Sequence, residues 1–321
     1  MKLRPYQKES VKAVLGEWDK GVQKTLLVLP TGTGKTICFS KVIEERAKEG
    51  DRCLILAHRG ELLDQAADKL KKTTGLNVAI EKAEDTAIGR WERVTVGSIQ
   101  SLSQPSRLKK FQKNYYNTIV VDEAQHAVSP TYLRVLEYFE GARVLGVTAT
   151  ADRTDLKNLG EYFETMAYEY TMPEAIRDGY LSPIKALQIP LELDISGVKQ
   201  TAGDFQVSGV GHALEPYLES IADEMLKYCK GRKTVVFMPL ISTSEKFVEI
   251  LKEKGFTATE VNGNSKDRAE ILQDFDEGKY EVLCNAMLLT EGWDCPSVDT
   301  IIVLRPTKSR SLYTQMVGRG T

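Results

Sequence analysis

The stretch Thr25-Leu26-Leu27-Val28-Leu29-Pro30-Thr31-Gly32-Thr33-Gly34-Lys35-Thr36 decides the fold. Its first five residues are apolar or β-branched, a run that reads as a buried strand. The run breaks at Pro30, Gly32 and Gly34, and Ile37–Lys48 then carries apolar residues at helical spacing. Strand, glycine-bearing loop and helix start, in that order, make a cradle for phosphate. The glycines let the backbone curl until its N–H groups and the helix N-terminus face an anion. Lys35 is then placed to reach the β- and γ-phosphates of a nucleotide, and the Thr36 hydroxyl to bind Mg²⁺. One position departs from the usual pattern, because Leu29 stands where the first glycine of the loop is expected. The rival reading, a glycine-rich turn with an exposed lysine, leaves the flanking strand and helix without a reason.

Outward from this stretch, short β-rich runs alternate with amphipathic segments. Cys53–Ala57, Val94–Val96, Thr118–Val121 and Arg143–Thr148 read as further strands, with a helix over Gly60–Lys72 among the connections. The pattern returns at Thr234–Phe237, Ala258–Val261, Glu281–Cys284 and Thr300–Leu304, separated by helices near Ser244–Lys254 and Asp267–Asp276. Such alternation predicts parallel, doubly wound α/β sheets. Between the two blocks, Tyr168–Pro183 holds Met172-Pro173, Gly179 and Ser182-Pro183, which read as breakers, so the hinge is expected there. The expected domains are residues 1–172 and 173–321. Leu191–Val210 is polar and partly glycine-rich, either a β-excursion or a loop.

The Thr118–Val121 run ends in Asp122-Glu123. A carboxylate at the end of a neighbouring strand can complete a Mg²⁺ shell, which assigns that role to Asp122. Glu123 beside it can orient and deprotonate an attacking water. An Asp-Glu pair alone would read as a solvated acidic turn; together with Lys35 and Thr36 it reads as half of a nucleotide site. These motifs specify a P-loop NTPase and leave a kinase, a GTPase, a transporter ATPase and a motor all open.

Length and composition bound the rest. The 321 residues fit two domains of about 150 each. Hydrophobic content of 42% with 27% charged residues is ordinary for a globular chain. The net charge of -2 and pI near 6.1 argue against a broad basic surface, so any nucleic-acid contact is confined to a groove. Five scattered cysteines without a C-x-x-C pair fit a reducing cytosol and no zinc site. Met1 leads into Lys2-Leu3-Arg4-Pro5 with no apolar stretch behind it, so no secretory signal is expected. Thr25–Pro30 and Thr300–Leu304 are strand-length, far short of a membrane span.

The remaining segments resemble the motifs of superfamily 2 helicases of DEAD/DEAH-box type, in the right order over nearly the whole chain. Leu3-Arg4-Pro5-Tyr6-Gln7 looks like the adenine-reading segment. Ala57-His58-Arg59-Gly60-Glu61-Leu62 resembles motif Ia, Thr95–Leu102 the strand-holding segment, Asp122-Glu123-Ala124-Gln125 motif II, and Thr148-Ala149-Thr150 motif III. Val235-Val236-Phe237 resembles motif IV, Leu289–Pro296 motif V, and Gln315-Met316-Val317-Gly318-Arg319 motif VI. The run Leu304–Gly320 looks most like RadD-type DNA-repair helicases, with restriction-enzyme motor subunits and phage helicases similar.

The resemblance implies two tandem RecA-like P-loop NTPase domains with ATP and Mg²⁺ between them and nucleic acid across both, DNA favoured over RNA. It implies that Arg4, Gln7, Thr31, Gly32, Thr33, Gly34, Lys35, Thr36, Gly292 and Asp294 contact the nucleotide. His58, Arg59, Gly97, Ser98 and Thr290 would touch the nucleic-acid strand, positioning it without reading sequence. Thr148 and Thr150 would couple hydrolysis to movement. Gln315 and Arg319 join Lys35, Asp122, Glu123 and Gln125 as the catalytic set. Arg319 is expected to act as an arginine finger, worth roughly 10³–10⁵ in rate in comparable NTPases. Gln125 stands where relatives carry histidine or aspartate; an amide still donates and accepts, so altered coupling is expected, not loss. Ala151 replaces the proline that follows motif III. His126 is expected to be structural, and Trp293 to pack in the core more than to stack on a base.

Relatives carry a second arginine three residues beyond the first in motif VI, and the sequence ends at Thr321 before that position. A truncated second lobe that binds ATP and hydrolyses it poorly is the expectation. The whole is read as a monomeric ATP-dependent helicase or translocase. The alternatives are a duplex translocase serving a nuclease or repair partner without unwinding, and an ATP-gated nucleic-acid clamp.

Overall fold

Adjacent residues of the central strands bury on opposite faces. On β1 (Lys24–Val28), Leu26 faces one core and Leu27 the other; on β2 (Cys53–Ala57), Leu54 and Leu56 part from Ile55 in the same way. Both faces are covered, which is why these strands are continuously apolar and not alternating. The computed structural model describes the chain except for residues 1, 58–61, 84, 151–158, 190–192, 202–203, 287, 290–292 and 294. It forms two units, residues 1–181 and 182–321.

The first unit holds a seven-stranded parallel sheet in the order β3-β4-β2-β5-β6-β1-β7. The remaining strands are β3 (Val78–Glu81), β4 (Val94–Ser98), β5 (Thr118–Asp122), β6 (Arg143–Thr148) and β7 (Thr165–Glu169). On one face pack α1 (Pro5–Asp19), α2 (Lys35–Lys48) and α3 (Leu62–Thr74), through Val14, Trp18, Phe39, Ile43 and Leu70. On the other lie α4 (Ile99–Leu102), α5 (Pro105–Leu108) and α6 (Pro130–Tyr138), around Phe111, Tyr132 and Phe139.

The second unit carries a four-stranded parallel sheet in the order β11-β12-β10-β13. Its strands are β10 (Thr234–Phe237), β11 (Ala258–Val261), β12 (Val282–Asn285) and β13 (Thr300–Val303). Val235 and Phe237 face one core, Val236 the other. Ahead of it, a short antiparallel hairpin, β8 (Gln200–Thr201) with β9 (Asp204–Phe205), resolves the ambiguous polar stretch as a β-excursion that leads into a helix at Val207–Leu214.

One breaker behaves otherwise than expected. Met172-Pro173 opens a helix, α7 (Met172–Arg177), instead of interrupting structure. Proline in the first helical turn forfeits no hydrogen bond. Thr171 caps the helix by accepting from the Glu174 amide while Glu174 Oε2 accepts from Thr171 N at 2.7 Å. Gly179, at φ 75°, then ends it. Ala175 and Leu181 are buried in the first unit's core, so the division falls after Leu181 and not at residue 172.

Candidate nucleotide site

In a parallel sheet every strand's carboxyl end lies on one edge, and ligands collect there. β6 sits between β1 and β5, pairing Val28 with Thr148 and Val147 with Asp122. The phosphate loop, the Asp122-Glu123 pair and Thr148-Ala149-Thr150 therefore leave three adjacent strands. The outer two are about 10 Å apart at about 4.8 Å per strand.

The loop is built as its chemistry requires. Gly32 and Gly34 hold φ 81° and 83°, the left-handed region open to glycine at no steric cost. Gly34 is the N-cap of α2, which puts Lys35 and Thr36 in the helix's first turn, both half-buried. Thr33 is buried, and its hydroxyl and N–H turn inward onto the Pro30 carbonyl, the hydroxyl at 2.7 Å. Leu29, in place of the missing glycine, is buried too; its N–H extends the ladder to the Thr148 carbonyl at 3.0 Å. Gln7 is 2% exposed; its Nε2 donates to the Thr33 carbonyl at 3.0 Å, and its Oε1 accepts from the Arg4 N–H at 3.0 Å. Gln7, expected to read adenine, is thus engaged with the loop residue Thr33, with one amide N–H of its two left over.

At the end of β5, Asp122 Oδ1 accepts from the Glu123 N–H at 3.0 Å. Glu123 adopts φ 56°, one of two non-glycine residues with positive φ among the described residues. That conformation costs of the order of 1–3 kcal/mol and persists only when the surroundings impose it. Here a hydrogen-bonded run does so: Gln125 Nε2 donates to Glu123 Oε2 at 3.0 Å, and Gln125 Oε1 accepts from the Thr148 hydroxyl at 3.1 Å. The Thr150 N–H reaches the same hydroxyl oxygen at 3.4 Å. Gln125 therefore donates to one motif and accepts from the other. His126 stacks on the buried ring of Tyr132, centroids 6.4 Å apart.

An oxygen-only set of one hydroxyl and one carboxylate, Thr36 and Asp122, fits a hard cation such as Mg²⁺, which takes few protein ligands and completes its shell from phosphate and water. No group of three or more His, Cys, Asp or Glu side chains that could hold a metal occurs among the described residues.

Other expected positions divide. Gly97 and Ser98 end β4 and are buried. A Cβ on Gly97 would meet Leu102 Cδ1 at 2.7 Å and Leu54 Cδ1 at 3.1 Å, so core packing by itself favours a glycine there. Ser98 is occupied as the N-cap of α4, accepting from Ser101. In the second unit Gln315 is buried on the helix Arg310–Val317, and Arg319 Nη1 donates to the Trp293 carbonyl. Trp293 packs beside Phe275, as its core reading expected. His58, Arg59, Thr290, Gly292 and Asp294 lie outside the described residues.

The sequence reading missed two features. Tyr170 and Tyr180 close on Tyr6 behind the phosphate loop. Asp204 of the hairpin accepts from the Thr307 hydroxyl at 2.6 Å and the Lys308 N–H at 2.8 Å. Burial works to raise its pKa, but these bonds prevail and hold its carboxyl below the usual range. Residues so distant in sequence offer no local pattern to find them by.

Residues 1–153 match the family described as Type III restriction enzyme, res subunit, and residues 217–321 the Helicase conserved C-terminal domain. A Saccharomyces cerevisiae protein assigned by name as the ATP-dependent helicase IRC3 is 34% identical, over 99% of this chain and 49% of its own length. A Schizosaccharomyces pombe protein of the same assignment, named mitochondrial, is 33% identical over 100% of this chain and 55% of its length. Among solved structures, a fragment assigned to the HsdR subunit of a type I restriction enzyme from Vibrio vulnificus YJ016 aligns with TM-score 0.75 at 23% identity. That alignment takes in 99% of this chain and 60% of the fragment. The chain spans about half the length of the curated relatives it matches. The likeness in fold and the two parallel sheets make a tandem pair of RecA-like domains.

Proposed function

This chain belongs to the superfamily 2 helicases, and from that premise we propose that it hydrolyses ATP with Mg²⁺ to move along nucleic acid, DNA before RNA. The observation that carries the proposal is the run Glu123–Gln125–Thr148–Thr150 on the sheet edge that also bears the phosphate loop. A hydrolytic carboxylate tied to the end of the next strand has a route by which its state reaches motif III.

In this reading Lys35 and the loop N–H groups hold the phosphates, with Gly32 and Gly34 giving the curvature. Thr36 and Asp122 hold Mg²⁺, which when bound neutralises charge developing on the phosphates. Glu123 orients and deprotonates the attacking water, Gln125 keeps that carboxylate in place, and Arg319 supplies positive charge to the transition state. Arg4 and Gln7 face the base. His58, Arg59, Gly97, Ser98 and Thr290 are the proposed strand contacts, and Gly292, Asp294 and Gln315 the second domain's share of the nucleotide site.

The match to a restriction-enzyme res subunit favours a second reading, a duplex translocase that serves a nuclease or repair partner without unwinding. Five buried free cysteines support a reducing compartment such as the cytosol. No helix among the described residues is long and apolar enough to cross a membrane.

Phosphate release would be measured with single-stranded DNA, duplex DNA and RNA in parallel, for the wild type, Lys35→Ala and Glu123→Gln. Stimulation by DNA in the wild type alone is expected; equal rates in all three proteins would sink the proposal. Strand displacement beside triplex displacement then separates unwinding from duplex translocation.

A further inference from the structure

The carbonyl oxygen of Thr33 accepts two hydrogen bonds from α1, from Tyr6 Oη at 2.7 Å and from Gln7 Nε2 at 3.0 Å. A planar trans peptide points its N–H opposite to its C=O, and no peptide among the described residues is cis. Drawing the Thr33 carbonyl towards α1 therefore aims the N–H of Gly34 away from α1. The approach is close: a Cβ on Gly34 would lie 2.7 Å from Gln7 Nε2.

Tyr6 is itself fixed. Its buried ring stacks on Tyr170 with centroids 4.5 Å apart at 19°, and meets Tyr180 edge-on at 4.9 Å. Its oxygen accepts from Arg4 Nη1 at 3.2 Å, and Tyr170 is pinned in turn by donating to Asp178 at 2.8 Å. Burial pushes the Tyr6 hydroxyl above its ordinary pKa, with the Arg4 guanidinium opposing, so it remains a protonated donor at neutral pH.

We propose that Tyr6 is a positioning residue for nucleotide phosphate: its hydroxyl sets the Thr33–Gly34 peptide so that the Gly34 N–H faces the anion. The stacked tyrosines tie that setting to the segment Tyr170–Leu181 that ends the first unit. The proposal rests on the nucleotide reading above and goes beyond it by placing phosphate affinity on a residue outside the loop and outside base recognition.

The test compares wild type, Tyr6→Phe, Tyr138→Phe and Lys35→Ala for binding of Mg²⁺·ADP and of Mg²⁺·tripolyphosphate, which has no base. Tyr138 makes the same kind of bond, hydroxyl to the Phe111 carbonyl at 2.6 Å, on the other face of the sheet. Tyr6→Phe keeps the ring stack and removes one donor. It is expected to weaken both ligands by the same factor, about 2- to 12-fold for one net hydrogen bond, raising KM for ATP and leaving kcat at saturation unchanged. Tyr138→Phe is expected to change neither affinity. Unchanged tripolyphosphate binding by Tyr6→Phe would overturn the proposal, as would weakening confined to ADP, which would place the hydroxyl at the base. Equal weakening by Tyr138→Phe would reduce the effect to general loosening and overturn it too. Failure of the wild type to bind Mg²⁺·ADP would instead remove the nucleotide reading beneath it.

Discussion

Replacing Thr148 with valine isolates the hydrogen-bonded run that joins Glu123 to motif III. Thr148 is 2% exposed at the end of β6, and its backbone carbonyl accepts the Leu29 N–H at 3.0 Å. Valine keeps the shape, suits a strand and preserves that ladder bond, so the loss is confined to a hydroxyl with one proton to give, which has Gln125 Oε1 and the Thr150 carbonyl each at 3.1 Å and accepts from the Thr150 N–H at 3.4 Å. One net hydrogen bond is worth about 0.5–1.5 kcal/mol, and at about 1.36 kcal/mol per tenfold this bounds the loss of turnover at about 2- to 12-fold. Removing the carboxylate itself in Glu123→Gln costs about 10²–10⁴. Steady-state phosphate release at saturating ATP should therefore rank wild type, Thr148→Val, then Glu123→Gln. Because Gln125→Ala cuts the same run, the double variant Thr148→Val/Gln125→Ala should be no slower than Gln125→Ala alone. If Thr148→Val costs as much as Glu123→Gln, or if the two losses add in full, the run does not hold the carboxylate and the reasoning fails.

Three further outcomes follow from the packing. Gly146→Ala on β6 would bring a Cβ within 2.5 Å of Phe163 Cζ and 2.8 Å of Leu26 Cδ2; overpacking of about 1–3 kcal/mol should lower the melting temperature by about 2–12 °C, and an unchanged melt would contradict the packing of β6 on β1. Arg107→Leu strips the fully buried Glu81 carboxylate of its cation, leaving among the described residues only the Ala87 N–H at 2.7 Å; the urea midpoint should fall by the equivalent of about 3–5 kcal/mol, with part recovered by adding Glu81→Gln, and a wild-type midpoint in Arg107→Leu would show the pair to be idle. All five cysteines are buried, and burial pushes the Cys38 thiol up to about 11 and the Cys53 thiol up to about 12; a thiol reagent at pH 8 should label none in the native protein and five after denaturation, so that one fast-reacting thiol in the fold would count against this burial.

What could be read from the sequence follows from where each element is buried. β2, β6 and β10 match their sequence-read spans residue for residue, because strands covered on both faces are apolar almost throughout, and the edge strand β11 matches although only its end residues Ala258 and Val261 are buried. β7 escaped notice because it is an edge strand of half-exposed residues, Thr165-Met-Ala-Tyr-Glu169, with neither a continuous apolar run nor a clean alternation. α7 was hidden by reading Pro173 as a breaker, when Thr171 and Glu174, three apart, already spelled a capping box.

The same distinction runs through the site. Lys35 with Thr36, and Asp122 with Glu123, could be proposed from the sequence because each pair lies at or shortly beyond the end of its own strand, where the expected chemistry needs it. That Gln125 would both donate and accept was legible from its amide, but its partners were not. They are set by β6 lying between β5 and β1, which brings Thr148 to motif II from 23 residues away. Tyr6 is the extreme case. Its hydroxyl meets Thr33 across 27 residues. Its ring meets Tyr170 only because the missed edge strand β7 pairs with β1, pairing Val28 with Glu169 and letting the Tyr170 N–H donate to the Val28 carbonyl at 2.9 Å. An error over one weak edge strand thus concealed the support of the phosphate loop, since in a parallel sheet the neighbours of a loop are chosen by strand order and not by distance along the chain.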